Sequence, residues 1–318
     1  MKSDCILTII VPVKDEEEAV APFVERVSEV LNGIPDLSGG QYEILFVDDG
    51  SDDATLEAIR QAHTSDRHVR AVSFSRNFGK EAALTAGLEH ARGQAVVPMD
   101  VDLQDPPETI GEMLAAARDE KVDVVYGVRS DRSSDSLPKR LTADLYYRAH
   151  NWLSNDKIPV HAGDFRLLDR KVVAAILRMP ERNRFMKAMF AWAGFRQTSV
   201  PYSRPARMSG SSKFNYWKLW TFALDGITSS STVPLRVWSY LGGLVALFAL
   251  AYAIFIAVRT LAFGNDVPGY ASLMVSVLFL GGLQLLSLGV LGEYVGRILT
   301  ETKARPLYII REQIGEID

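Results

Sequence analysis

Two long runs without a charged residue constrain this 318-residue chain more than any other feature of its sequence. The first run covers residues 237–258 and the second covers residues 267–292. A helix that crosses a bilayer needs about 20 predominantly apolar residues, whereas a core helix of a soluble protein usually keeps a polar stripe. The runs therefore predict a helical hairpin through a membrane, with spans at about 237–258 and 268–292. Two buried core helices are the alternative.

Lysine and arginine residues beside the two runs predict the orientation of the hairpin. The only lysine or arginine in the segment between the runs is Arg259. The basic residues outside the runs are Lys213, Lys218 and Arg236 on one side, and Arg297, Lys303, Arg305 and Arg311 on the other. Because cytoplasmic loops carry an excess of these residues, the N-terminal part and both termini are expected in the cytoplasm. No cleavable signal peptide is expected, since the apolar run 6–13 is short and leads into acidic residues.

Residues 1–205 alternate between short apolar runs of strand length and segments with helical spacing. The predicted strands cover residues 6–13, 42–47, 69–74, 94–99 and 122–127, and the predicted helices cover residues 19–31, 53–63 and 80–91. This alternation favours an α/β domain with a parallel sheet and helices on both faces. Ligands of such sheets bind beyond the carboxyl ends of the strands. The sequence places polar clusters there, at 14–16, 48–49, 76–77 and 100–102.

Residues 206–234 connect the two parts and carry aromatic side chains at helical spacing. These side chains are Phe214, Trp217 and Trp220, with Leu224 in the same series. Together with neighbouring lysines, they predict an amphipathic helix that lies in the lipid headgroup layer. An aromatic face packed on the α/β domain is the alternative. The last segment, 299–318, is expected to be a cytoplasmic tail.

Charge and cysteine content exclude several classes of protein. The net charge of −4 does not fit a basic nucleic-acid-binding protein. The single cysteine, Cys5, excludes an intramolecular disulfide framework and a cysteine-based metal cage, and it suits a reducing compartment. The sequence has neither the G-x-G-x-x-G turn of dinucleotide-binding proteins nor the G-x-x-x-x-G-K-[ST] turn of P-loop proteins.

The strongest candidate for chemistry is the acidic sequence that follows the fourth predicted strand. Asp100 and Asp102 are two residues apart, so they point to the same side if the segment is extended. Gln104 adds a further oxygen two residues later. Such hard oxygen ligands suit Mg²⁺ or Mn²⁺ shared with a diphosphate, and a solvated acidic turn is the alternative. Asp48 and Asp49 end the second strand, where they can bind a base or ribose or can cap a helix.

Four motifs occur in the order found in family-2 glycosyltransferases of the GT-A fold, which this chain resembles. They lie at 12–16 (Pro-Val-Lys-Asp-Glu), 48–51 (Asp-Asp-Gly-Ser), 76–80 (Arg-Asn-Phe-Gly-Lys) and 100–107 (Asp-Val-Asp-Leu-Gln-Asp-Pro-Pro). More narrowly, the chain is similar to polyprenyl-phosphate glycosyltransferases, which include dolichol-phosphate mannose synthases, the aminoarabinose transferase of lipid A modification and bactoprenol glucosyltransferases. The bactoprenol enzymes match best, because the two-helix anchor and residues 162–169, 207–213 and 292–297 also agree. At Lys14-Asp15 the chain departs from the Tyr-Asn that is common in the family.

The resemblance implies a GT-A-type, mostly parallel sheet flanked by helices, then the interfacial helix and a two-helix transmembrane hairpin in a bacterial inner membrane. It implies an inverting enzyme that moves a hexose, with glucose from UDP-glucose as the first choice, onto undecaprenyl phosphate. The implied partners are the nucleotide sugar, the polyprenyl phosphate and the bilayer. No nucleic acid is expected, and the resemblance leaves open whether the chain forms a homo-oligomer. GDP-mannose and UDP-aminoarabinose are alternative donors. A membrane-anchored sugar-nucleotide sensor or scaffold is the non-enzyme alternative.

The resemblance also assigns residues to the site. The residues expected to bind the nucleotide sugar are Pro12, Val13, Glu16, Asp48, Asp49, Lys80 and Asp100. The residues expected to hold the divalent metal, Mg²⁺ or Mn²⁺, are Asp100, Asp102 and Gln104.

A lipid phosphate that arrives from the membrane needs cations near the interface, and arginine offers a planar fork suited to phosphate. The basic residues expected to bind it are Arg129, Arg140, Arg166, Arg207 and Lys213. For each one alone, a surface ion pair is the alternative. Asp164 is expected to face the acceptor, as a general base or an orienting group, unless it pairs with Arg166 or Arg140. The predicted catalytic residues are Asp102, Asp164 and Arg129.

Overall fold

The structure is a computed structural model, and it describes residues 5–130, 162–203, 233–263 and 269–315. The strands of these residues are β1 (Leu7–Val13), β2 (Tyr42–Asp48), β3 (Val69–Phe74), β4 (Ala95–Pro98), β5 (Val124–Arg129), β6 (Ala162–Asp169), β7 (Gln197–Tyr202) and β8 (Ile310–Ile314). The helices are α1 (Glu17–Asn32), α2 (Thr55–Ser65), α3 (Lys80–His90), α4 (Thr109–Asp119), α5 (Arg170–Leu177), α6 (Met186–Trp192), α7 (Val233–Phe263) and α8 (Tyr270–Lys303).

All eight strands of the described residues join one sheet in the order β7-β5-β6-β4-β1-β2-β3-β8. β6 and β8 run antiparallel to their neighbours, and the remaining strands share one direction. Along β1, Leu7 and Ile9 pack into the core on one face of the sheet, and Ile10 packs into the core on the other. A sheet covered on both faces explains why this strand is apolar without interruption. The predicted α/β sheet with flanking helices is confirmed.

The strand register brings several chain segments to one edge of the sheet. Val13 at the end of β1 pairs with Asp48 at the end of β2, and Asp48 pairs with Ser73 near the end of β3. β6 runs antiparallel to β4, so the start of β6, with Asp164, lies at the edge where β4 ends. The segments that follow the parallel strands therefore meet the beginning of β6, as ligand-binding crevices of α/β sheets do.

The last part of the chain returns to the N-terminal domain. Segment 299–318 was expected to be a tail, but Ile310–Ile314 forms β8 and pairs antiparallel with β3. Glu312 of β8 accepts hydrogen bonds of 2.7 and 2.6 Å from the Arg60 guanidinium of α2, and Ile314 joins the core. The expectation of a tail is therefore wrong for the residues of β8, which form one edge of the sheet.

The predicted spans, about 237–258 and 268–292, lie largely within α7 and α8. Large apolar side chains of both helices are exposed, including Phe248 of α7 and Leu285 of α8. Within the part of the chain that the structure describes, one helical segment, Phe279–Lys303, is long and apolar enough to cross a membrane, with a mean hydropathy of 1.3. A crossing by both helices therefore stays a prediction. The aromatic segment 206–234 lies outside the described residues except for the first two residues of α7.

Candidate active site

A cleft of about 380 Å³ opens at the carboxyl edge of the sheet, beside β1, β2 and β4. It is lined by Pro12, Val13, Lys14, Glu16, Asp49, Asn77, Gly79, Lys80, Ala83, Asp100, Val101 and Asp102. Six of the seven residues predicted to bind the nucleotide sugar are in this lining, together with the predicted metal ligand Asp102. The four sequence motifs thus converge on one concave surface, although they are spread over about 90 residues of the chain.

Asp48 is the seventh predicted residue, and it lies outside the cleft lining. It is only 2% exposed, and its carboxylate accepts hydrogen bonds from the Ser73 hydroxyl at 2.7 Å and the Ser51 backbone N–H at 2.9 Å. Its carboxylate therefore ties β2 to β3 and to the following turn. Asp49, the next residue, points the other way and reaches the cleft.

Asp49 joins the end of β2 to the loop before α3. Its carboxylate accepts hydrogen bonds from the backbone N–H groups of Phe78 at 2.6 Å and Gly79 at 2.9 Å. Burial raises the pKa of Asp49, although these N–H groups act against the rise. Gly79 has a φ of +97°, a conformation that favours glycine. This backbone turn brings Lys80, the first residue of α3, into the cleft.

Lys14 closes the rim of the cleft by contacts within the protein. Its ammonium donates to the Gly50 carbonyl at 2.8 Å, to Asp52 at 2.9 Å and to Asp15 at 3.2 Å. A lysine ammonium has three N–H donors, so these bonds use all of them. The hydrogen bond to Asp52 is the main reason why the pKa of Lys14 is raised. The Lys14-Asp15 pair, where the family commonly has Tyr-Asn, thus ties the turn after β1 to the turn after β2.

Lys80 lies between two carboxylates, of which Asp100 lines the cleft and Asp164 lies outside its lining. Its Nζ is 2.7 Å from Asp100 Oδ1 and 3.2 Å from Asp164 Oδ2. Burial alone lowers the pKa of Lys80, but the negative charges of Asp100 and Asp164 outweigh it and raise this pKa above its ordinary value. Lys80 is therefore a permanent cation that connects the turn after β4 to β6.

Asp164 is held as a carboxylate by cations on both sides. Besides Lys80, the Nζ of Lys187 on α6 lies 3.5 Å from Asp164 Oδ1. Burial acts to raise the pKa of Asp164, but the charges of Lys187, Lys80 and Arg166 lower it well below its usual range. A carboxylate with such a low pKa is a weak proton acceptor. With two lysine ammonium groups beside it, we expect Asp164 to act as an orienting group rather than as a general base.

Two of the three predicted metal ligands share the cleft, but not because they alternate along an extended strand. β4 ends at Pro98, and residues 101–102 form a turn rather than an extended segment. This turn brings Asp100 and Asp102 into the same lining. Gln104 is not part of that lining, and its backbone N–H donates to Asp102 Oδ1 at 3.1 Å. Leu103 between them has a φ of +53°, which is rare for a residue with a side chain.

Asp105 and Tyr202 form a buried contact behind the acidic turn. The Tyr202 hydroxyl at the end of β7 donates to Asp105 Oδ1 at 2.7 Å. Burial and the charge of Asp105 raise the pKa of Tyr202 to about 12, which keeps the phenol protonated as a donor. Arg129, at the end of β5, pairs with Tyr202 in the strand register and also acts on its hydroxyl. Arg129 is therefore placed beside this contact, near the acidic turn.

The other residues predicted to bind the acceptor phosphate are only partly described. Arg166 is 5% exposed, and its guanidinium carbon lies 4.5 Å from the centre of the Phe190 ring. This burial places it as a charge behind Asp164 rather than as a surface ligand of phosphate. Arg140, Arg207 and Lys213 lie outside the residues that the structure describes.

Sequence reasoning missed two charged residues that neighbour Lys80 and Asp164. Lys187 contacts Asp164, as described above. Glu81, next to Lys80, accepts a hydrogen bond of 3.1 Å from the Met186 backbone N–H, and burial raises its pKa to about 7. Neither residue lies in a recognisable motif. Lys187 contacts a residue about 23 positions earlier in the chain, and Glu81 contacts one 105 positions later. The only signal in the sequence was the charge of the two residues themselves, in Phe185-Met186-Lys187 and in Lys80-Glu81.

Comparisons with known proteins match both parts of the chain. Residues 8–177 match the family described as Glycosyl transferase family 2. Residues 233–298, which cover α7 and most of α8, match the family described as GtrB C-terminal hairpin.

Individual proteins match over almost the whole length. The Escherichia coli (strain K12) protein named prophage bactoprenol glucosyl transferase homolog is 50% identical over 305 residues, which cover 96% of this chain and 98% of that protein. The bactoprenol glucosyl transferase of Shigella phage SfV is 50% identical over 307 residues, with 96% and 98% covered. Among solved structures, the mannosyltransferase PcManGT from Pyrobaculum calidifontis in complex with GDP-Man and Mn²⁺ is 18% identical, with 95% of this chain and 84% of that chain covered and a TM-score of 0.49.

Proposed function

The chain belongs to glycosyl transferase family 2, and we propose that it transfers glucose from UDP-glucose to a polyprenyl phosphate in a bacterial inner membrane. The observation that carries the choice of sugar and lipid is the 50% identity, over 96% of the chain, with proteins named bactoprenol glucosyl transferase. The cleft supports the same chemistry, since it combines carboxylates with a permanent cation at the carboxyl edge of the sheet.

The nucleotide part of the donor is proposed to occupy the rim formed by the ends of β1 and β2. Pro12, Val13, Glu16 and Asp49 line this side of the cleft. Carboxylates can accept hydrogen bonds from ribose hydroxyls and base N–H groups. The three N–H donors of Lys14 are already hydrogen-bonded within the protein. We therefore expect Lys14 to contact the donor through its alkyl chain and to stiffen the rim, rather than to bind the donor through its charge.

A divalent metal shared with the donor diphosphate fits the other side of the cleft. Among the described residues, no group of three or more His, Cys, Asp or Glu side chains could hold a metal ion. Asp100 and Asp102 offer two carboxylates in one lining, and Mg²⁺ is commonly bound by one or two carboxylates plus substrate phosphates. The residues therefore suit a metal that is completed by the substrate. When bound, such an ion neutralises charge on the leaving diphosphate.

Two charged side chains of the protein, Lys80 and Asp164, are proposed to assist the transfer. Lys80 adds a second cation beside Asp100, where it can offset negative charge that develops on the diphosphate. The acceptor phosphate has a second pKa of about 6, so it is largely ionised at neutral pH without a protein base. This agrees with the low pKa of Asp164, which we expect to orient Lys80 and the acceptor. In one in-line displacement, a phosphate oxygen of the acceptor bonds to the anomeric carbon, the bond from that carbon to UDP breaks and UDP leaves, so the α linkage of the donor becomes β.

The pairing of β8 with β3 supports a membrane crossing by both long helices. The strands before α7 and the strand after α8 belong to one sheet, so they lie on the same side of the membrane. The intervening chain must then cross the bilayer an even number of times. If α8 crosses, a crossing by α7 satisfies this condition, and the family match to a C-terminal hairpin agrees with it. We propose that both termini and the cleft face the cytoplasm, where nucleotide sugars are made.

A lipid-transfer assay tests the proposal. The purified full chain in lipid nanodiscs is incubated with Mg²⁺, undecaprenyl phosphate and a labelled nucleotide sugar, and the organic phase is counted. We expect labelled lipid with UDP-glucose and little with GDP-mannose or UDP-aminoarabinose, and release of the label by a β-glucosidase. A product with another donor overturns the choice of sugar. Nucleotide binding without any labelled lipid favours the sensor or scaffold alternative.

A further inference from the structure

The end of α8 holds a loop of the N-terminal domain through a carboxylate. Glu301, in the last turn of α8, accepts hydrogen bonds from the backbone N–H of Arg182 at 2.9 and 3.0 Å and from that of Asn183 at 2.9 Å. The Arg182 side chain donates in return to the carbonyl of Arg305, just beyond the helix. These contacts lie outside the sheet edge formed by β8. Residues 178–185, called the bridging segment below, are thus fixed to the end of the apolar helix.

The bridging segment is also tied within itself. The Arg184 guanidinium donates to the carbonyl of Met179 at 2.7 Å and to that of Glu181 at 3.1 Å. These bonds tie residue 184 to residues 179 and 181, on the other side of Arg182 and Asn183. The segment is followed directly by α6, which begins with Met186 and Lys187.

The start of α6 contacts residues that adjoin the cleft lining without belonging to it. The Met186 N–H donates to Glu81 of α3, and Lys187 contacts Asp164 at 3.5 Å. Asp164 in turn contacts Lys80 at 3.2 Å, and Lys80 contacts Asp100 at 2.7 Å. Direct contacts at both ends, joined by the backbone from residue 183 to residue 187, therefore connect the end of α8 to a residue of the cleft lining.

We propose that Glu301 is a positioning residue of the glycosyl transfer, which fixes the bridging segment so that Lys187 stays against Asp164. The inference rests on the proposed function, because it concerns that reaction. It gives the apolar helix a second task besides anchoring. The position of the helix end sets the position of charges at the cleft.

The physical argument predicts which kinetic constant changes. Without the Glu301 carboxylate, the two backbone N–H groups turn to water and the bridging segment loosens. A displacement of about 1 Å at a catalytic site can cost roughly 100-fold in rate. The rim residues Pro12, Val13 and Asp49 lie on β1 and β2, which the bridging segment does not touch through these contacts. We therefore expect kcat to fall while KM for UDP-glucose stays nearly constant.

A double-mutant cycle tests the proposal in the full chain in nanodiscs. We expect Glu301→Ala and Lys187→Met each to lower kcat about 10- to 100-fold, and the double variant to be no worse than the poorer single variant. Residues that act as one unit give such non-additive losses. Glu301→Gln should retain most activity, because one amide oxygen can accept from both N–H groups. Additive losses, or a rise in KM for UDP-glucose alone, would overturn the proposal.

Hydrogen–deuterium exchange provides a readout that does not depend on transfer activity. Glu301→Ala should speed exchange in peptides covering residues 178–192. The matched control is Glu312→Ala, which removes a carboxylate of the same C-terminal segment that pairs with Arg60 instead, and it should leave exchange there unchanged. Unchanged exchange in Glu301→Ala, or an equal effect of Glu312→Ala, overturns the inference. If the wild-type chain transfers no glucose while Glu301→Ala still speeds exchange in residues 178–192, the proposed function is overturned instead.

Discussion

The ammonium of Lys80 lies 2.7 Å from a carboxylate oxygen of Asp100, at the point where α3 begins and the turn after β4 passes. Because Asp164 holds the same ammonium from β6 at 3.2 Å, one lysine joins three elements that are far apart in the chain. Its charge is fixed where the donor diphosphate is proposed to lie. The effect of removing that charge is therefore a direct test of the site.

Lys80→Met keeps the length of the side chain and removes its charge. We expect kcat for glucose transfer to fall about 100-fold, the usual cost of losing one group that stabilises developing negative charge. Steady-state kinetics with UDP-glucose and undecaprenyl phosphate provide the measurement. Lys171→Met, which removes an exposed lysine paired with Asp123, is the control and should stay near wild type. Turnover of Lys80→Met within about twofold of wild type would contradict the placement of Lys80.

Asp102→Asn should weaken metal binding without altering the fold. The amide oxygen can still accept the hydrogen bond from the Gln104 N–H, but the negative charge that attracts a divalent cation is lost. We expect Mn²⁺ binding in the presence of UDP, followed by electron paramagnetic resonance, to weaken at least about 10-fold and transfer to fall with it. Asp119→Asn, an exposed change at the end of α4, is the control. Unchanged Mn²⁺ affinity would show that Asp102 is not a ligand.

The sequence predicts the layers of the fold well because strands that are buried on both faces of a sheet appear in the sequence as uninterrupted apolar runs. It predicts the cleft for a similar reason, since the motifs follow strands whose carboxyl ends meet at one edge. It does not distinguish Asp48 from Asp49, because only the register with Ser73 shows which carboxylate is turned into the protein.

Contacts between distant segments left no local pattern. Lys187 and Glu81 acquire their partners through the packing of α6 on α3 and β6. β8 is a five-residue strand in a charged segment, so it lacks the apolar run that identifies the interior strands. Its partner, β3, lies more than 230 residues earlier in the chain. Pairing at that separation depends on the whole fold rather than on local propensity.

Tyr202→Phe should destabilise the domain through a single hydrogen bond. The change removes the hydroxyl that donates to the buried Asp105 at 2.7 Å, and losing a partner of a buried polar group costs about 1–3 kcal/mol. We expect the melting temperature to fall by a few degrees, on the order of 2–4 °C per kcal/mol for a domain of this size. Tyr240→Phe, at a side chain 77% exposed on α7, is the control. An equal melting temperature for both variants would contradict the structural role of Tyr202.

The hairpin topology can be tested with single cysteines. In a Cys5→Ser background, Asn265→Cys lies between α7 and α8, and Gln313→Cys lies at an exposed position of β8. A double crossing puts position 265 outside the cytoplasm and position 313 inside it. A membrane-impermeant maleimide should therefore label position 265 in intact spheroplasts and position 313 only after lysis. Labelling of both positions, or of neither, before lysis would contradict the topology.

Glu81 predicts a specific dependence of stability on pH. Burial raises its pKa in the folded chain from the ordinary value of 4.5 to about 7, so between these pH values the folded state binds more protons than the unfolded state. The free energy of unfolding therefore falls as pH rises through this range, because stability increases with pH only where the unfolded state binds more protons.

Glu81→Gln removes this titration and keeps an oxygen that can accept the Met186 N–H. We expect the melting temperature of the variant to match that of wild type near pH 5 and to exceed it at pH 8, with the difference opening between these values. Thermal unfolding of both proteins across this pH range provides the measurement. Glu57→Gln, at an exposed pair with Arg60, should show no such widening. A difference that is constant across the range would mean that Glu81 is ionised throughout, and that this side chain is more solvated than its burial indicates.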